Sequence, residues 1–104
     1  MSHKSLLIST AIQEREVEIS NGEKIKLHFK ELPRHEIFTY VNEFNSPDIE
    51  VKRLADERFI AKSLCNADGT AYATVEEISQ YKWTALNAIG EVVRDINGMG
   101  EKKT

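Results

Sequence analysis

Hydrophobic positions in this chain keep a two-residue period over residues 14–30 and a helical period from there on. Val17 and Ile19 alternate with Glu16 and Glu18; after Asn21-Gly22, Ile25, Leu27 and Phe29 alternate with Lys24, Lys26 and His28. That is the pattern of two strands with one face buried, joined at a turn. A two-residue type I′ turn on Asn21-Gly22 would set Val17 opposite Lys26 and throw the two apolar sets onto opposite faces. A three-residue loop, Ser20-Asn21-Gly22, with Gly22 as the left-handed bulge residue, restores the match. Val17 then faces Ile25, and Glu18 and Glu16 face Lys24 and Lys26 as favourable cross-strand pairs. The pattern predicts this bulged hairpin.

Three helices are predicted after it. Leu32-Pro33 ends the second strand and opens a helix of about three turns with proline in its first turn. Ile37, Val41 and Phe44 form its core line, Phe38 and Tyr40 flank that line, and Asn45 closes it. Ser46-Pro47-Asp48 starts a second helix with a hydroxyl cap, proline and a carboxylate at the positive end of the dipole. It is read to about Leu64. Arg58 and Lys62 project from its apolar arc, either snorkelling past a thin core edge or meeting a partner. Asn66-Ala67-Asp68-Gly69 is a turn, and Thr74-Val75-Glu76-Glu77 is a capping box for the last helix. At 100° per residue Val75, Ile78, Tyr81, Ala85, Leu86, Ala88, Ile89, Val92, Val93 and Ile96 fall on one arc. Gly98 marks the stop, which gives a helix of roughly 35 Å.

The fold class predicted is α+β: an N-terminal hairpin packed on a mainly helical domain of three helices, the last one long. Residues 1–13 form a flexible or partly ordered arm, 14–98 a single domain and 99–104 a polar tail. A domain of 104 residues buries roughly two-thirds of its unfolded surface. Apolar content of 40% with 30% charged residues is that of a globular protein rather than a disordered one. A net charge of −3 favours neither nucleic acid nor an anionic membrane. The single cysteine, Cys65, excludes an internal disulfide and fits a reducing compartment. Leu6-Leu7-Ile8 is too short for a secretory or membrane segment, so a cytoplasmic protein is expected.

No residue set points to catalysis, a cofactor or a metal. With Gly69 at the sixth position of a calcium loop, Leu64 and Val75 would occupy the first and twelfth, where carboxylates are required. His3, His28 and His35 lack a ligand cluster. Cys65 reads as a half-buried thiol at a helix end, and Glu76-Glu77 serve a helix N-terminus. One surface feature remains. Trp83, Asn87, Gly90 and Arg94 lie at i, i+4, i+7 and i+11, off the core arc of the last helix. A tryptophan beside a glycine gap, with Asn and Arg, has the composition of a partner-binding anchor. The competing reading folds Trp83 over the hairpin and uses Gly90 to admit another helix of the same domain.

An ordered series of residues also carries a resemblance. A strand ends in Phe29-Lys30-Glu31-Leu32, a polar helix follows, then Ser63-Leu64-Cys65-Asn66-Ala67-Asp68-Gly69, Tyr72 and a capped helix ending in Asn97-Gly98. Taken in that order over about residues 14–98, it resembles the tail assembly chaperones of long, non-contractile-tailed bacteriophages, the lambda-like siphophages. Asn66 stands where that family usually has Asp, and Trp83 is bulkier than its pattern. The resemblance implies a non-enzymatic protein in the host bacterial cytoplasm that keeps the tape measure protein soluble until tail tube protein polymerises around it. The resemblance also implies absence from the mature virion; a holdase of this kind needs many copies or self-association for avidity, so a homo-oligomer is one expectation. A frameshifted longer form that recruits tail tube protein is also implied, and Glu101-Lys102-Lys103 fits an adenine-rich slip site. The alternative is a head–tail connector or tail-completion protein retained in the virion; a small regulator comes third.

Overall fold

The computed structural model describes residues 10–99. Its elements are β1 (Gln13–Ser20), β2 (Glu23–Phe29), α1 (Arg34–Phe44), α2 (Ile49–Arg53), α3 (Ala55–Ser63), β3 (Leu64–Cys65), α4 (Val75–Ile78) and α5 (Trp83–Ile96). The fold is α+β, with a three-stranded antiparallel sheet in the order β1-β2-β3. Residues 1–9 of the expected N-terminal arm, and the tail beyond Met99, lie outside the described residues.

The hairpin has the expected register. Val17 pairs with Ile25, Glu18 with Lys24 and Glu16 with Lys26. The ladder shifts between Glu18 and Ser20, Gly22 has φ +82°, and Asn21 keeps a negative φ. A type I′ turn needs positive φ at both central residues, so the structure has the bulged alternative. The Gly22 amide donates to Glu18 Oε2 at 3.1 Å.

Leu64-Cys65, read from sequence as a helix end, is instead the third strand. Phe29 pairs with Leu64 and His28 with Cys65. The same register continues one residue further: the Lys30 amide donates to the Ser63 carbonyl at 3.0 Å, and Ser63 Oγ donates to the Lys30 carbonyl at 2.7 Å. Burying Leu64, Cys65 and Ser63 to 1% exposure or less requires their backbone groups to be paired, and β2 supplies the pairing. Cys65 is therefore a buried strand residue, and burial raises its thiol pKa.

Two of the three expected helices are broken, giving five. The second breaks at Leu54, which has φ −110° and ψ 18° and serves as both the end of α2 and the start of α3. The Arg58 guanidinium donates to the Val51 carbonyl, satisfying a group that an unbroken helix would have paired along its axis. The last helix breaks after Ile78. Tight i→i+3 bonds from Gln80 to Glu77 and from Tyr81 to Ile78 close α4, and Lys82, with ψ 157°, restarts the chain as α5. At 1.5 Å per residue the 14-residue α5 spans about 21 Å rather than 35 Å. The Thr74–Glu77 capping box is present in full, and Gly98 has φ +74°.

The core lies between the inner face of the sheet and the helices. Val17, Leu27 and Phe29 meet Phe59, Ile60, Ile78, Ile89 and Val93 there. The arc read across residues 75–96 survives the break: Ile78, Ala85, Ile89, Val93 and Ile96 are all buried. Asn97 Oδ1 accepts from the Leu32 amide at 2.7 Å, which joins the end of α5 to the segment entering α1.

Candidate interaction surface

The surface is set by how α1 meets α3. On α1, Glu36, Tyr40 and Glu43 recur at i, i+4 and i+7, one helical line. Each finds a partner on α3: Lys62 Nζ lies 2.6 Å from Glu36 Oε1, Arg58 Nε 3.0 Å from Glu43 Oε1, and Tyr40 Oη donates to Asp56 at 2.6 Å. The Tyr40 ring also stacks on Phe59, centroids 4.0 Å apart and 12° from parallel. Arg58 and Lys62 are thus spent inside the domain, and Lys62 holds the Glu36 carboxyl below its ordinary pKa. Burial and Asp56 push the Tyr40 phenol up to about 12.

That ladder turns α1 by about a quarter turn from the sequence reading. Tyr40, expected at the flank, is the buried residue of the helix. Val41 and Phe44, expected in the core, are 38% and 47% exposed. With Phe38 they form an apolar stripe at i, i+3 and i+6, and the Arg34 guanidinium sits 4.5 Å from the Phe38 ring centroid. Ile49 of α2 is exposed as well.

Between this stripe and α5 runs a groove of about 430 Å³. Val41, Phe44 and Met99 are its apolar lining; Tyr40, Asp56 and Arg94 supply polar groups, and Asn45 and Asn87 complete it. Met99 is placed by Gly98, whose positive φ turns the chain so that the Met99 amide donates to the Arg94 carbonyl at 2.7 Å. Arg94 Nη1 stands 3.9 Å from Asp56 Oδ1. That is a loose pair, and the guanidinium also reaches the Tyr40 phenol, which leaves part of its five donors for another acceptor.

The four residues marked in the sequence are divided by the fold. Asn87 and Arg94 line the groove. Gly90 is buried, and a Cβ there would stand 3.3 Å from Arg94 Nη1 and 3.7 Å from Ile60 Cδ1. Its lack of a side chain therefore lets α3 and the Arg94 side chain close over α5. Trp83, 71% exposed, does not fold over the hairpin and lies outside the groove lining. Phe38, Val41, Phe44 and Met99 escaped the sequence reading. The signal that could have found them is the match of Glu36 and Glu43 with Lys62 and Arg58, which fixes the side of α1 that turns inward.

Among the described residues no group of three or more His, Cys, Asp or Glu could hold a metal ion, and no helix is long and apolar enough to cross a membrane. In the Asn66–Gly69 turn the Asp68 carboxylate accepts from the Thr70 amide and hydroxyl at 3.0 and 2.7 Å, and Gly69 has φ +89°. Compared with protein-family models, curated proteins and solved structures, the chain matches none.

Proposed function

We propose that this chain is a non-enzymatic holding chaperone in phage tail assembly, and that the α1–α5 surface covers apolar helical segments of the tape measure protein. The observation that carries the reading is the stripe Phe38, Val41 and Phe44, exposed at helical spacing beside the groove. A contiguous apolar surface rimmed by polar groups marks an interaction site. A groove flanked by such a stripe suits an amphipathic helix laid along it. The identity of the client rests on the resemblance of residues 14–98 to tail assembly chaperones. The same resemblance supports action in the host cytoplasm, self-association for avidity, and a frameshifted longer form that engages tail tube protein.

The test is co-expression with the long tape measure gene of the same gene cluster. Phe38→Ser with Phe44→Ser removes exposed ring surface together with the contact of Phe44 on the Tyr40 ring, centroids 5.9 Å apart. The far-UV spectrum should be kept and the melting temperature fall by only a few degrees, while the soluble fraction of the client falls severalfold. Unchanged client solubility with the double variant overturns the surface assignment. Mass spectrometry of purified virions checks the role itself: finding the chain there in stoichiometric amount replaces the chaperone with a connector or completion protein.

A further inference from the structure

A second cavity, of about 270 Å³, opens between the inner face of the hairpin and the start of α5. Ile19, Ile25 and Leu27 form one wall, Ala85 and Ile89 the other. Thr84 Oγ1 donates to the Ile19 carbonyl at 2.9 Å, tying α5 to the hairpin where the ladder shifts, and the small Ala85 leaves the space beside that tie open. Leu27 and Ile89, 4% and 2% exposed, close the inner end.

Tyr72, Tyr81 and Lys82 stand around the mouth. Among the described residues no hydrogen bond or ion pair engages the Tyr72 or Tyr81 hydroxyl or the Lys82 ammonium. Burial, Tyr72 and Glu77 raise the Tyr81 pKa, so this phenol keeps its proton and donates. The Glu77 carboxylate, held in the capping box, places a negative charge near Tyr81 but does not line the cleft. The first turn of α5 contains no acidic residue, and its N-cap offers no side-chain hydrogen bond. Apolar walls with a few convergent polar groups at one end are the composition of a small-ligand site. All three of these groups can donate, the two phenols can also accept, and the one charged group among them is cationic.

We propose that this cleft binds a small free carboxylic acid: an apolar chain or ring between the sheet and α5, with its carboxylate at Lys82, Tyr72 and Tyr81. The occupant is anionic because the mouth offers donors and a cation. It is small because the volume lies just under the roughly 300–1,000 Å³ of sites for drug-sized ligands and cannot admit a helix about 10 Å across. This site shares no residue with the α1–α5 groove, so its failure leaves the chaperone reading standing and the reverse holds too.

The test is titration of the ¹⁵N-labelled full chain with octanoate, and with octanol as the neutral counterpart. Octanoate should shift the amides of Leu27, Ala85 and Ile89 saturably, and bind roughly tenfold more tightly than octanol, the ratio expected for one charge-assisted contact. Lys82→Met alters an exposed side chain and should bring octanoate down to the level of octanol. Ala85→Leu, which fills the cleft, should abolish both titrations, with a thermal melt reporting whether that variant folds; if it does not, the Lys82→Met comparison decides. Equal affinity for the two ligands in the unaltered chain overturns the proposal. So does an absence of saturable shifts, or shifts centred on Phe38, Val41 and Phe44.

Discussion

Tyr40 shows how one hydroxyl sets the orientation of a helix. Its ring replaces an aliphatic contact by stacking on Phe59, and its phenol reaches Asp56 at 2.6 Å. A folded pKa of about 12 against an unfolded value of about 10 makes its contribution fully present below pH 10. That contribution is lost as pH rises towards 12. Urea unfolding near pH 8 and near pH 11 checks this: the unaltered chain should lose stability relative to Tyr40→Phe between the two. The comparison isolates Tyr40, because Tyr81, also shifted upward, is present in both proteins. Near pH 8, Tyr40→Phe should cost about 1.5–3 kcal/mol, the scale of a hydrogen bond to a charged group. Gly90 acts at the same scale by lacking a side chain. Gly90→Leu should destabilise by about 1–3 kcal/mol, the scale of overpacking, because the new side chain meets Ile60 and Arg94. A melt within a degree or two of the parent would show that α3 and α5 separate there at little cost.

Elements whose geometry is local were legible in the sequence. The hairpin register followed from matching two alternating patterns across a glycine turn, and the terminal cap from Thr74 and Glu77 three residues apart. Elements fixed by a distant partner were not. β3 is two residues long and has no periodicity of its own; it forms because β2 offers the edge and because Ser63 completes the pairing. The orientation of α1 escaped for a related reason: Ile37, Val41 and Phe44 form a good apolar line, but three polar contacts to α3 outweigh it. The breaks at Leu54 and after Ile78 leave the apolar arc nearly continuous, so periodicity could not reveal them. Within the candidate surface, Asn87 and Arg94 were legible as off-core positions of α5, whereas the α1 stripe became visible only with the α1–α3 pairing. The two kinds of element differ in how they fail. Thr74→Ala should cost about 1 kcal/mol as a lost cap. Ser63→Ala removes the hydroxyl bonded to the Lys30 carbonyl and should cost about 1–3 kcal/mol, since that part-buried group would be left unpaired. Hydrogen exchange should then quicken at the His28–Lys30 and Ser63–Cys65 amides, while those of the hairpin turn stay unchanged.

Across the whole molecule the apolar side chains are divided between a core and an outer surface. Half of the chain's eight aromatic residues, Phe38, Phe44, Tyr72 and Trp83, are 46% exposed or more. Single exposed hydrophobics are ordinary; an adjoining set on one helix and its neighbouring groove is not. A net charge of −3 keeps copies apart only through a long-range repulsion, which salt at 0.15 M screens to within about 8 Å. The apolar attraction is short-ranged and persists in salt. Sedimentation should therefore show weak self-association that strengthens from low to moderate ionic strength and is reversed by Phe38→Ser with Phe44→Ser. Association that weakens with salt would instead assign the contact to ion pairs and remove the α1 stripe from it. The client proposed above would meet the same stripe, so its retention should likewise persist in salt if apolar contact holds it. Opposite trends would separate the surface that joins copies from the surface that holds the client.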